Sequence, residues 1–289
     1  MTTESPKRRR WFQFRLRTLL IAILVLSLPL SWFAIRMEKA RRQREAISTL
    51  CETGPVWIWY DYQYDGSLGF GEDEIRGASW LRRLLGNDFF NDIARVNFTG
   101  SDASDETLKN LRAFPRLRSL LLCDSRVTDQ GLKHLRYLNH LEHLDLAGSS
   151  VTDDGLREIA RLTSLRWLNL PAETSDEGLE YLTGLVCLES TTVISHAVTD
   201  RGIGHLASIN SLQELWLSCP RVTNAGLEHL RHLTHLKRLW LYESQATDEG
   251  LTHFCEMSDL EYFAVYSPHV TPEGISKLQE ALPNCEIEY

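Results

Sequence analysis

The chain contains no Gly-x-Ser-x-Gly elbow, no phosphate loop and no dinucleotide fingerprint; Gly69-Phe-Gly71 stops short of a third glycine. Elbow hydrolases, P-loop NTPases and dinucleotide-binding enzymes therefore find no anchor here. The six cysteines (Cys51, Cys123, Cys187, Cys219, Cys255, Cys285) form no Cys-x-x-Cys, which removes the zinc-ribbon and thioredoxin-like patterns. They fall at unlike places and read as small buried side chains, with a Cys255–Cys285 bridge the one conceivable pairing. Positive charge is scarce beyond the front. The first 45 residues hold 11 basic and 3 acidic side chains, leaving 20 and 36 in the remainder, a net −16 against −8 for the whole. A body this acidic repels phosphate backbones, so nucleic acid is not an expected partner.

Long uncharged runs are also scarce: the one at the front is Thr18 to Ile35. Its 18 residues come close to the minimum for a bilayer span. Trp11, Phe12, Phe14, Trp32 and Phe33 lie at its two ends, where aromatic rings favour a membrane interface. No small-x-small cleavage site follows, so the run reads as a retained anchor rather than a signal peptide. Six basic residues precede it and five follow, a near balance; the short basic N terminus ahead of a large domain places the repeats outside. The basic ends suit anionic lipid head groups.

What the chain has in abundance is one phrase. Leu141, Leu144 and Leu146 spell Leu-x-x-Leu-x-Leu, followed by Val151-Thr152-Asp153, Gly155-Leu156, Ile159 and Leu162. The phrase returns at Leu117, Leu165, Leu212 and Leu236, and more loosely at Ile93, Leu188 and Leu260, every 24 residues except for one copy that is one residue short. The period-two alternation places Leu144 and Leu146 on one face of a short strand. Thr152 caps a helix whose first turn carries Asp153, a favourable place for a carboxylate in the helix dipole. Leu156, Ile159 and Leu162 give that helix an apolar stripe. Gly155 is expected to let the helix start close to the strand layer. A single unit cannot bury both faces, so the units stack. Parallel strands repeat at ~4.8 Å while packed helices need ~8–10 Å, so the stack curves with its strands inside.

These residues resemble the leucine-rich-repeat superfamily, in its 24-residue Val-Thr-Asp-x-Gly-Leu class, from about Ile93 to Tyr289. The Phe14 to Leu20 opening, ahead of a basic helix and repeats, is similar to bacterial single-pass leucine-rich-repeat proteins. The resemblance implies an α/β fold: a right-handed solenoid or horseshoe, parallel strands concave and helices convex, after an N-terminal transmembrane helix. It also implies a partner, usually a protein, on the concave face, and no reaction or cofactor. The expected organisation is a basic segment (1–17), a transmembrane helix (18–36), a basic linker (37–55), an N-terminal cap (56–92), about eight repeats (93–281) and a closing strand (282–289). The cap holds an aromatic strand, Val56 to Tyr60, and a short helix from Trp80 to Gly86.

Three constellations invite chemistry. Asp61-x-Gln63-x-Asp65-Gly66 with Glu72 approaches a calcium loop, but Gln63 departs from the pattern and a strand precedes it; an acidic connecting loop is the plainer reading. His229, His232 and His235 are spaced by three, yet repeat register groups His229 with His205 and His253 on successive helices, too far apart to share a metal at ~2.1 Å bonds. Scattered Ser, His and Asp make no catalytic set, so the chain does not read as an enzyme.

The informative surface is the set of side chains alternating with the inward leucines. The register gives Trp167, then Glu214, Trp216 and Ser218, then Arg238, Trp240 and Tyr242, then Tyr262, Ala264 and Tyr266. Trp216 should neighbour Trp240, Tyr242 should neighbour Tyr266, and Glu214 should pair with Arg238. Exposed Trp, Tyr and Arg on a rigid surface are what binding hot spots favour, so Trp167, Glu214, Trp216, Arg238, Trp240, Tyr242, Tyr262 and Tyr266 form the expected protein-binding face. A glycan stacked on the same rings is the alternative occupant. In the copy from Leu188, Thr191 and Val193 replace inward leucines, which suggests a soft point between two halves.

Overall fold

The computed structural model describes residues 16–52, 54–63 and 79–289, without the side chains of 16–19, 22, 62 and 79. Asp65, Gly66 and Glu72 of the calcium-like pattern, and the first basic cluster, lie outside the described residues. The chain begins with a long helix, α1 (Leu16–Cys51), continuous through Pro29. Strand β1 (Trp57–Tyr60) and helix α2 (Ser79–Leu85) follow, the helix stopped at Gly86 in a left-handed conformation (φ 85°).

The repeats then lay down β2 (Ile93–Asn97), β3 (Ser119–Leu121), β4 (His143–Asp145), β5 (Trp167–Asn169), β6 (Ser190–Ile194), β7 (Glu214–Ser218), β8 (Arg238–Tyr242) and β9 (Tyr262–Tyr266). The last strand is β10 (Glu286–Glu288). All ten strands form one sheet in chain order. Every neighbouring pair from β2 to β10 is parallel, while β1 closes the first edge antiparallel to β2. Between strands run short helices, from Asp105–Leu108 to Pro272–Ala281, which form the second layer. The inward leucines of the strands and the helix stripes make one continuous core from Ala46 to Cys285. Leu144, Leu146, Leu156 and Ile159 are all fully buried, as the two periodicities require.

Each helix is tied to the next by a device that the local spacing does not reveal. Asp129 Oδ1 accepts from the Thr152 amide (2.8 Å) and Oδ2 from the Thr152 hydroxyl (2.8 Å). The pattern recurs from Asp105 to Thr128, Asp153 to Ser175, Asp176 to Thr199, Asp200 to Thr223 and Asp248 to Thr271. Asn224 keeps the contact with its amide reversed: Oδ1 accepts from the Thr247 amide, and Nδ2 donates to the Thr247 hydroxyl. Each aspartate thus organises the cap of the following repeat, beyond whatever it gains from its own helix dipole. This also corrects the reason for the glycine. A Cβ on Gly155 would stand 2.5 Å from Asp129 Oδ1 and 3.1 Å from Leu132 Cδ1, so the glycine admits the preceding repeat rather than the strand layer.

Two other expectations change. Residues 37–51, expected as a linker, continue α1 and pack as part of the cap, with Ala40, Gln43, Ala46 and Leu50 buried along one face. Lys39 pairs with Asp92 and Arg44 with Asp88, while Trp32 and Phe33 touch the buried Phe89 ring, centroids 6.0 and 5.3 Å away. The copy from Leu188 is no soft point. Thr191 is buried with its hydroxyl donating to the Leu168 carbonyl (3.0 Å), and β6 pairs with β7 over five residues. A hydroxyl satisfied within the sheet costs little.

Among the described residues no helix is long and apolar enough to cross a membrane. The side chains at 18, 19 and 22, which belong to the uncharged run, are outside that set. All six cysteines are free, Cys255 and Cys285 included.

Candidate binding face

The strand layer lies on the inside of the arc that the difference between strand and helix spacing imposes. Its alternate residues stand in rows. Register places Trp216 across from Trp240, Tyr242 across from Tyr266 and Glu214 across from Arg238. The rings stack: Trp216 on Trp240 at 5.4 Å and 22°, Trp216 on Tyr242 at 5.0 Å and 16°, and Tyr242 on Tyr266 at 4.8 Å and 11°. Trp240 meets Tyr262 at 5.4 Å with the planes tilted by 42°. Five of the eight expected residues thus form one aromatic array across β7, β8 and β9. Aromatic pairs of this geometry contribute ~0.5–1.5 kcal/mol each beyond burial, so the array stiffens its strands as well as offering a surface.

The polar members complete it. Arg238 Nη1 lies 3.1 Å from Glu214 Oε1, and the Ser190 hydroxyl donates to Glu214 Oε2 (3.3 Å). Trp167 stands apart on β5, half-buried, with short-chained Ser190 between it and Glu214. These three line an open recess of ≈ 490 Å³ that also touches His143, Arg166 and Glu189. Arg166 is occupied by Glu189 (Nε to Oε2 3.1 Å), and burial holds the His143 imidazole below its usual pKa, with Arg95 and Arg166 adding to the shift.

The sequence reading missed Glu288. It sits on the closing strand β10, in register with Ala264, and accepts from both the Tyr262 and the Tyr266 hydroxyls. Those hydrogen bonds push both phenols up to about 12 and draw the Glu288 carboxyl below its ordinary value. The signal available was register alone: a charged residue alternating with inward Ile287. Glu243, just past β8, holds a left-handed backbone (φ 50°) and accepts from the Ser218 hydroxyl (3.3 Å). Gly100, Asp124 and Gly148 take the same turn in their repeats, at φ 76°, 55° and 64°.

The other constellations stay dispersed. Gly204 rather than a second imidazole faces the His229 ring, at 3.5 Å from an added Cβ, and among the described residues no His, Cys, Asp or Glu cluster could hold a metal. Burial pushes the Cys123, Cys219 and Cys285 thiols up to about 11. A nucleophilic cysteine needs the opposite shift.

The family model described as a leucine-rich repeat region matches residues 97–285, well over half of the chain. Among solved structures, an internalin C2 from Listeria monocytogenes strain 4b F2365 superposes with a TM-score of 0.52 at 23% identity, covering 68% of this chain and 80% of that one. At that identity the likeness is one of fold. No curated protein matches the chain.

Proposed function

From the premise that the chain belongs to the leucine-rich-repeat family, we propose that it is a non-catalytic, membrane-tethered interaction module that holds a protein partner on the aromatic half of its concave face. The observation that carries this is the array of Trp216, Trp240, Tyr242, Tyr262 and Tyr266, with Trp216 36% and Tyr266 40% exposed on a sheet locked by parallel pairing. Large rigid rings lose little entropy on binding and bury much area, which is why hot spots use them. The glycan alternative gains nothing from the geometry. Sugars stack on open ring faces, and here most faces are covered by neighbouring rings.

The tether is the other part of the proposal. Along α1, Leu20, Ile21, Leu24, Leu28 and Leu30 are 56–66% exposed, an apolar surface that water disfavours and hydrocarbon accepts. With Thr18, Leu19 and Ala22 the run reaches 18 uncharged residues, and the repeats follow it on the outer side. Because the helix runs unbroken into the cap, such an anchor would present the strand face at a set angle.

Trp216→Ala, which sits at the end of the array, should lose partner capture from a membrane extract while thermal unfolding moves by only a few degrees. Unaltered capture overturns the concave-face reading. Carbonate extraction tests the tether separately, and release of the chain into the supernatant would end that part.

A further inference from the structure

The residues after position 45 sum to a net −16, yet they build one basic edge. That edge consists of the segments that return the chain from each short helix to the next strand. The three nearest α1 (112–118, 136–142 and 160–166) hold Arg112, Arg116, Arg118, Arg136, Arg161 and Arg166 against Glu142 alone. The two at the far end (255–261 and 279–285) hold four carboxylates and no Lys or Arg. Arg118 is matched by Glu142 and Arg166 by Glu189. Arg112, Arg136 and Arg161 are exposed and meet no carboxylate among the described residues. Arg112 and Arg136 instead flank the exposed Tyr137 ring, at 4.9 and 4.7 Å.

Helix α1 sets where this edge points. Asp92, just before β2, takes Lys39 of α1 on one oxygen and Arg116 on the other (3.4 Å). Gly54, just past α1, lies against Ser101, beyond the other end of β2. The helix therefore crosses the first repeat from edge to edge, and its uncharged run projects from the basic one. Lys39 is four residues past Ile35, or ~6 Å along the helix at ~1.5 Å per residue. A headgroup layer is roughly 5–8 Å deep on each side of the hydrocarbon. With the run in a bilayer, Arg116 thus stands level with the headgroups. Helix α2 reaches the same level: Arg44 folds back to the Ala40 carbonyl and also donates to the Leu85 carbonyl (both 3.3 Å). Trp80 and Leu84 of α2, one turn apart, are 65% and 73% exposed, and Arg83 beside them pairs with no carboxylate among the described residues. Trp and Tyr rings favour that layer, and arginine stems cross it with their charge in water.

We propose that this edge is a second membrane contact. The three basic return segments, with Tyr137 and the Trp80 face of α2, rest on the anionic phospholipid headgroups of the leaflet from which α1 emerges. The acidic far end is repelled by the same surface, so the solenoid lifts away there. The strands then stand upright on the bilayer, and the aromatic array opens sideways at the end held farthest from lipid. The inference rests on the tether reading and adds the surface that orients the tethered domain.

The test uses the full chain in vesicles of phosphatidylcholine, alone or mixed with phosphatidylglycerol, that carry a headgroup-linked nitroxide quencher. A fluorescent amino acid reads contact at Asn139, exposed on the basic edge, or in a second chain at Asp154, exposed on the opposite edge. In the anionic vesicles quenching at Asn139 should exceed that at Asp154 severalfold, and it should fall toward it in neutral vesicles or high salt. Arg112→Gln with Arg136→Gln should remove most of the difference. Arg161→Gln should remove part of it with thermal unfolding unchanged. Equal quenching at the two positions, quenching indifferent to lipid charge, or no response to any of the arginine changes would overturn the inference while a chain that resists carbonate extraction keeps its tether. Release of the chain by carbonate would overturn the tether and the inference together.

Discussion

Replacing Gly178 by alanine tests how the repeats are joined. A Cβ there would lie 2.1 Å from Asp153 Oδ1, 2.9 Å from Asp153 Cγ and 2.9 Å from Leu156 Cδ1, all on the preceding helix. The carboxylate must move, and with it go its bonds from the Ser175 amide (3.0 Å) and hydroxyl (2.6 Å). Overpacking costs about 1–3 kcal/mol. Two partly exposed hydrogen bonds add about 1 kcal/mol each. Alanine's helix propensity returns about 1 kcal/mol, leaving a net destabilisation of ~2–4 kcal/mol. Gly184→Ala is the control: its nearest neighbour is the Ala160 carbonyl oxygen at 4.0 Å, so it should be neutral or slightly stabilising. Urea unfolding followed by circular dichroism reads both. A second arm removes the obstacle. With Asp153→Ala in the background, Gly178→Ala should cost ~2 kcal/mol less, because the methyl then meets only Leu156. Additive costs in that cycle, or a Gly178→Ala chain as stable as the wild type, would refute the account of the glycine.

Three further outcomes follow from the same geometry. Tyr262 and Tyr266 should ionise near pH 12, and Glu288→Gln should return both toward 10; tyrosinate absorbance measures this. Their raised folded pKa means a stabilisation present below pH 10 and lost between 10 and 12, while the lowered carboxyls of Glu288 and Asp248 stabilise above the ordinary carboxylate range and lose that contribution as acid protonates them. Phe89→Ala, at a ring 3% exposed against Trp32, Phe33 and Phe90, should cost ~3–5 kcal/mol and make residues 37–51 sensitive to protease; unchanged protection would mean α1 is not docked there. Thr191→Leu restores the common residue of the repeat but strips the Leu168 carbonyl of its side-chain donor, and thermal unfolding should show a gain no larger than about 1 kcal/mol.

The strand face was legible because two simple periods, two along the strand and 24 between strands, determine it: Trp216 beside Trp240 and Glu214 beside Arg238 follow from counting. What escaped depends on partners far along the chain. The bond from Asp153 to Ser175 spans 22 residues, and a local view sees in that aspartate only a helix dipole. The docking of α1 was hidden by charge. Ala40, Gln43, Ala46 and Leu50 form a helical stripe, but Arg41, Arg42 and Arg44 between them give the segment the composition of a linker. Glu288 was passed over because a three-residue closing strand suggests only an end, whereas register carries its side chain to two tyrosines.

The most direct test places a photo-reactive side chain at Thr192, on the open side of Trp216, and in a second chain at Glu228, exposed on the helical layer. Irradiated in its native membrane, the Thr192 chain should cross-link to a protein and the Glu228 chain should not. A cross-link from Glu228 with none from Thr192 would move the partner to the other face and contradict the account.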